Sequence, residues 1–196
     1  AGFSVGLLEK KQIIKNKVKK DDVIIGIKSS GLHSNGYSLV RKIIKDKRLS
    51  FNRYFDFDKN KTIGSYLLEP TLIYVDIILK LYKNKLIKSC AHITGGGVIE
   101  NLPRVLDKKF KAQINLDNWE LSNLYKWLLS CGIKQSELLK TFNAGYGMVL
   151  IADGRDLDKI NKIVKKYKFS SSLLGNITLK KNISDKSVAL IGKLNK

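Results

Sequence analysis

The sequence predicts an α+β protein in which a mixed β-sheet is packed with helices in α/β-like layers. Short β-branched runs alternate with amphipathic segments along the chain, and no linker rich in glycine or proline divides it. With 196 residues, of which 43% are hydrophobic, the chain is long enough to bury one sizeable core. We therefore expect a single domain over residues 1–196.

The first half of the chain predicts three strands and several helices. Strands are expected at residues 1–9, 22–29 and 88–94, where apolar or β-branched residues cluster. Apolar residues spaced i, i+1, i+4 and i+5 predict a helix over 35–45, and residues 45–61 show no period and predict an irregular connection. Pro70 ends a short helix, because proline has no N–H and restricts the residue before it. A second amphipathic helix follows Pro70, and a short one is expected at 98–102.

The second half predicts a similar alternation. Strands are expected at residues 112–116, 147–152, 173–178 and 188–191, and helices at 122–130, 136–140 and 157–167. This alternation supports the mixed sheet.

Composition argues against two classes of partner. The net charge of +20 would suit a nucleic acid, but only five of the 37 basic residues are arginine, the side chain that grips phosphate with two parallel bonds, and the lysines are scattered. No apolar run approaches the roughly 18 residues that span a bilayer. Cys90 and Cys131 are expected to be reduced thiols. We expect a cytoplasmic protein that binds neither nucleic acid nor membrane, with no metal site on this chain.

The stretch "SGLHSNGYSLVR" places polar residues directly before the helix predicted at 35–45. Ser34 occupies the position expected for the helix N-cap, and Asn35 and Gly36 leave the first amides of the helix open. Such amides, together with the helix dipole, form an anion site. His33 adds a group that exchanges a proton near neutral pH. An ordinary capped helix after a glycine turn is the equally supported alternative.

A second candidate lies in "AHITGGGVIENLPRV", where Gly95, Gly96 and Gly97 follow a predicted strand. Successive glycines allow close approach of the backbone to a ligand, or a positive φ that other residues disfavour. His92 and Thr94 stand just before them. The spacing fits neither a P-loop nor a dinucleotide fingerprint, and a tight structural turn is the alternative.

A third candidate is "KTFNAGYGMVL", in which Asn143 precedes a predicted strand. Its amide is suited either to orienting a substrate or to closing a turn. His33 and His92 are the only histidines, and both lie beside glycine and a hydroxyl residue at a strand end. Loops at strand ends are where scaffolds usually place functional groups.

These motifs together closely resemble one enzyme family. The segments "AGFSVGLLEK", "GLHSNGYSLVRK", "LLEPTLIYV", "AHITGGGVIENLPRVL" and "TFNAGYGMVLI" follow the order found in phosphoribosylformylglycinamidine cyclo-ligase, also called aminoimidazole ribonucleotide synthetase. The resemblance covers nearly the whole chain but only the C-terminal domain of that family. Selenophosphate synthetase and thiamine-monophosphate kinase resemble it in fold, without "HSNGYS" and "ENLPRV".

The resemblance implies an ATP-dependent ring closure that converts formylglycinamidine ribonucleotide to aminoimidazole ribonucleotide in purine biosynthesis. It implies a homodimer, with ATP and Mg²⁺ mainly on an N-terminal half that no stretch here resembles. This chain alone is then expected to be inactive. A non-catalytic binding or regulatory fragment that keeps the substrate pocket is the alternative.

The resemblance also suggests roles for the candidate residues. His33 and His92 are the candidates for proton transfer or for stabilising charge at the reacting centre. The substrate-binding candidates are Ser34, Asn35, Gly36, Thr94, Gly95, Gly96, Gly97 and Asn143. The chain departs from the family where Leu72 replaces a usual basic residue and Lys140 a usual arginine.

Overall fold

The computed structural model describes residues 3–9, 13 and 17–194. The strands are β1 Val23–Lys28, β2 Tyr54–Phe55, β3 Asp58–Thr62, β4 Ser89–His92, β5 Phe110–Asn115, β6 Tyr146–Ala152, β7 Ser171–Leu179 and β8 Val188–Ile191. The α-helices are α1 Tyr37–Asp46, α2 Ile63–Leu67, α3 Val75–Lys83, α4 Gly97–Asn101, α5 Asn123–Ser130, α6 Gln135–Thr141 and α7 Leu157–Lys166. No helix among these residues is both long and apolar enough to cross a bilayer.

Six strands form one mixed sheet in the order β4-β6-β1-β7-β5-β8. Neighbouring strands run antiparallel except β5 and β8, which run parallel. Strands β2 and β3 pair separately as a hairpin. The mixed sheet with helices that the sequence predicts is confirmed.

Both faces of the sheet are covered over β1 and β6. On one face Ile24 and Val149 belong to a core that also contains buried side chains of α1, α5 and α6. On the other face Ile25 and Leu150 pack with buried side chains of α3 and α7. Alternate residues of a strand point to opposite faces, so β1 contributes to both cores, and all seven residues of β6 are buried. These central strands give the loops at their ends a rigid base.

Two predictions about the first third of the chain are wrong. Residues 3–9 form no strand, and Phe3, Val5 and Leu7 are almost fully exposed. Their apolar alternation satisfies the strand pattern, but within the described part of the chain no strand pairs with them. Residues 1 and 2 lie outside the described residues. The connection predicted as irregular contains β2, which is only two residues long, and β3, which is polar, so neither strand shows a hydrophobic period.

Candidate active site

The first candidate loop joins β1 to α1 and covers residues 29–36. Gly36, and not Ser34, occupies the N-cap of α1, with a left-handed φ of 84° and no capping bond from any described side chain. The prediction of Ser34 as the cap is therefore wrong. A Cβ at position 36 would lie 2.0 Å from the Phe142 ring, so both φ and packing select glycine here. Ser34 itself is exposed.

The amino end of α1 consequently has no side-chain cap from its N-cap residue. The first amide that bonds within the helix is that of Val40, which donates to the Gly36 carbonyl at 3.1 Å. Helix geometry leaves the amides before it without intrahelical partners, at the positive end of the helix dipole. The prediction of open amides at this junction agrees with the structure.

The second candidate loop joins β4 to α4, covers residues 93–96 and meets the helix at Gly97. Gly96 and Gly97 have left-handed φ values of 92° and 57°, and a Cβ on Gly97 would lie 2.0 Å from the Leu139 carbonyl oxygen. Gly97 is buried and thus serves packing. Thr94 donates its hydroxyl to Oδ1 of Asn101 at 3.2 Å.

The two loops converge on one pocket of about 360 Å³. A Cβ built on Gly95 would lie 3.1 Å from Oδ1 of Asn35, so the loops nearly touch. The pocket lining is polar, and consists of Asn35, Gly36, Gly95, Gly96, Glu100, Glu137, Lys140 and Thr141. Of the predicted substrate-binding residues, the structure brings Asn35, Gly36, Gly95 and Gly96 together. It leaves Ser34, Thr94, Gly97 and Asn143 outside this lining.

His33 is a buried residue of the first loop. Only 6% of its surface is exposed, and its Nε2 accepts the backbone N–H of Ser30 at 3.3 Å. Its Nδ1 is buried without a partner among the described residues. Burial, assisted by the nearby His92, lowers the pKa of His33 to about 4. The ring is therefore neutral near pH 7, which weakens its case as a proton donor.

His92 lies at the exposed end of β4, in a different groove. This groove of about 380 Å³ is mostly apolar and includes Leu72, Tyr74 and Met148. It shares no lining residue with the glycine pocket. The ring of Tyr74 stands between the two histidines, with its centroid 6.1 Å from each. The histidines are thus neighbours of Tyr74, and neither lines the pocket formed by the glycines.

Asn143 lies in the turn between α6 and β6 and is 3% exposed. Its side chain bonds the loop of residues 29–36 from the interior of the protein, donating to the carbonyls of Gly31 at 2.9 Å and Leu32 at 3.2 Å. This geometry favours the role of closing a turn over direct contact with a substrate.

Sequence reasoning assigned no site role to four residues of the pocket. Glu137, Lys140 and Thr141 are spaced i, i+3 and i+4 on α6, so they share one helix face, and Thr141 donates to Glu137 Oε1 at 2.5 Å. Glu100 lies beside Gly96. The helical spacing on α6 was a usable signal, but only the fold shows that this face meets the two glycine loops.

The described residues include side chains of the types that hold metal ions in proteins. Among residues 3–9, 13 and 17–194, no three His, Cys, Asp or Glu side chains group so as to hold a metal ion. The thiols of Cys90 and Cys131 are free, and burial raises the pKa of each.

Comparison with known proteins places the chain in a family. Residues 19–186 match the model of the AIR synthase related protein, C-terminal domain. The chain belongs to this family. It is 43% identical over 192 residues to a phosphoribosylformylglycinamidine cyclo-ligase of Clostridium botulinum, a match that covers 97% of the chain and 55% of the relative. It is 38% identical over 191 residues to the cyclo-ligase of Ligilactobacillus salivarius, covering 96% and 55%. The chain thus spans about half the length of these cyclo-ligases.

Solved structures share the fold at low identity. A thiamine-monophosphate kinase from Stenotrophomonas maltophilia superposes with a TM-score of 0.64 at 12% identity, covering 96% of this chain and 56% of the kinase. A hydrogenase maturation protein of E. coli gives a TM-score of 0.58 at 12% identity, covering 90% and 48%. These similarities confirm the fold class that the sequence predicts for the family.

Proposed function

We propose that this chain is the C-terminal domain, over residues 1–196, of a cyclo-ligase that converts formylglycinamidine ribonucleotide to aminoimidazole ribonucleotide. Its part in that reaction is to bind the phosphate-bearing end of the substrate. The observation that carries the proposal is the convergence of the open amino end of α1 with Gly95 and Gly96 on one polar pocket. Identity near 40% to cyclo-ligases over almost the whole chain supports it.

The charges in the pocket suit a phosphorylated sugar better than a bare anion. The amides of α1 and the ammonium group of Lys140 attract phosphate oxygens. Glu100 and Glu137 repel them, but carboxylates accept hydrogen bonds from ribose hydroxyls. Asn35 supplies both a donor and an acceptor. A phosphoribosyl group carries the matching chemistry at its two ends.

We further propose that, of the two histidines, His92 is the one available for proton transfer. It is exposed at the end of β4, whereas His33 is buried and its Nε2 already accepts a hydrogen bond. His33 retains a role in shaping the loop before α1, where its φ of 58° places it in the left-handed region. His92 lines a mostly apolar groove together with Tyr74 and Met148.

The remaining family expectations concern parts of the enzyme beyond these residues. We propose that ATP and Mg²⁺ bind mainly on the other half of the enzyme, since the described residues offer no cluster of metal ligands. Association with that half, a homodimer and a cytoplasmic location complete the proposal.

The test uses the complete cyclo-ligase that contains this chain. Lys140→Met should raise the KM for formylglycinamidine ribonucleotide by about tenfold or more, because it removes a charge-assisted bond to phosphate. The KM for ATP should stay unchanged. The matched control is Lys126→Met, at an exposed position of α5. If Lys140→Met and Lys126→Met change the KM for substrate to the same extent, the pocket is not the substrate site. If the protein binds substrate without any turnover, the chain is a binding module.

A further inference from the structure

The side chain of Asn143 uses its full hydrogen-bonding capacity inside the protein. Its Oδ1 accepts from the Ser29 hydroxyl at 2.9 Å, the Tyr125 hydroxyl at 2.8 Å and the Gly145 amide at 2.8 Å. Its two amide hydrogens go to the carbonyls of Gly31 and Leu32. No donor is left for a ligand, so any influence of Asn143 on binding acts through the loop that it holds.

The turn that carries Asn143 holds the first loop at both ends. Asn143 fixes the start of the loop at Gly31 and Leu32, and the hydroxyl of Tyr125 also lies 3.0 Å from the Gly31 carbonyl. The ring of Phe142 packs directly on Gly36 at the end of the loop. The position of the α1 amides therefore depends on this turn.

Asn101 has the corresponding place behind the second loop. It is 4% exposed, and its amide nitrogen donates to the carbonyls of Gly95 at 3.1 Å and Gly97 at 2.9 Å. In a trans peptide unit the C=O and the following N–H point in opposite directions. Because Asn101 holds the Gly95 carbonyl, the amide of Gly96 points away from Asn101. Gly96 lines the pocket.

We infer that Asn101 and Asn143 are positioning residues, each of which fixes one of the two glycine-bearing loops from behind so that both face a common ligand. The inference rests on the proposed function and adds to it the residues that set the geometry of the pocket. A buried amide is costly to leave unpaired, so each asparagine holds its loop in one conformation.

The experiment compares three variants in the complete cyclo-ligase. Asn101→Asp and Asn143→Asp keep the shape of the side chain but replace its donors with oxygens that repel the loop carbonyls. Each should raise the KM for formylglycinamidine ribonucleotide by about tenfold. Tyr125→Phe keeps the ring and removes one hydroxyl, and it should raise the KM by roughly threefold even if Asn143→Asp fails to fold.

A merely structural role would give a different result. Destabilisation alone reduces the number of active molecules, so the apparent kcat falls while the KM stays the same. The control is Ser89→Ala, which removes a buried hydroxyl bonded to the Val105 carbonyl, outside the two loops. It should lower the Tm and leave the KM unchanged.

The two proposals fail separately. If Lys140→Met raises the substrate KM but Asn101→Asp and Tyr125→Phe leave it unchanged, the positioning role is wrong and the pocket assignment stands. If none of the variants changes the KM, the substrate binds elsewhere and both are wrong.

Discussion

The loop before α1 is held by residues far along the chain, whereas the loop before α4 is held by its own helix. Asn143 bonds Gly31 and Leu32 across 112 and 111 residues of sequence. Asn101 bonds Gly95 and Gly97 across six and four residues. The second loop can therefore form together with α4, but the first takes its shape only when the sheet and α6 are assembled. Contacts distant in sequence therefore hold the half of the pocket before α1, and local contacts hold the half before α4.

The largest effect expected from breaking this arrangement is that of Gly97→Ala. A Cβ there would lie 2.0 Å from the Leu139 carbonyl oxygen, and the φ of 57° disfavours alanine. Backbone cannot move aside easily, so the free energy of unfolding should fall by about 3 kcal/mol or more. Gly36→Ala meets the Phe142 ring instead, which a small rotation can shift, and should cost about 2 kcal/mol.

Urea denaturation of both variants measures the difference. The control is Gly132→Ala, at a φ of 95° with nothing within 4 Å of the added Cβ, which should cost only about 1 kcal/mol. A loss for Gly97→Ala no larger than for this control would show that the backbone of α6 at Leu139 does not restrict position 97.

The two loops should also differ in how their stability depends on pH, although this effect is smaller. The reason is that the first loop contains a buried histidine. The pKa of His33 is lowered to about 4, from an ordinary value near 6.5. The unfolded chain therefore binds a proton at higher pH than the folded protein does. The contribution of His33 to stability is complete above pH 6.5 and is lost as the pH falls toward 4, by about 2 kcal/mol after allowance for solvent screening.

His33→Asn should remove this part of the pH dependence, since asparagine tolerates the left-handed φ of 58° but does not titrate. The free energy of unfolding is measured at pH 7.5 and 4.5 for both proteins. A variant as sensitive to acid as the original would mean that His33 becomes protonated without penalty in the folded state.

The same contrast explains what sequence reasoning found and what it missed. Glycines after two predicted strands identified both candidate loops, because the need for positive φ is a local property that shows at Gly36 and Gly96. The central strands were predicted because a strand buried on both faces has a nearly continuous run of apolar residues, and such runs are visible in the sequence. The strand expected at residues 1–9 does not form over the described residues 3–9, because apolar alternation does not supply a pairing partner.

Tertiary contacts decided the rest of the site. Whether Asn143 faces a ligand or the protein depends on Tyr125 and Gly31, which are distant in sequence. The pKa of His33 is lowered by burial, and the sequence around a single histidine does not show how deeply the fold buries it. Lys140 lines the pocket because α6 packs against α4 at Leu139 and Gly97. The local sequence pattern does not encode where a helix packs.

The smallest expected effect is that of Ser34→Ala, and it tests the assignment of the cap. A hydroxyl that capped α1 would contribute about 1 kcal/mol to stability. Ser34 is exposed and Gly36 holds the cap position, so the free energy of unfolding should change by no more than about 0.5 kcal/mol. In the complete enzyme, the KM for substrate should also stay the same, because Ser34 is not part of the pocket lining. A tenfold increase in KM would place its hydroxyl on the ligand and would require the first loop to close further over the pocket than it does here.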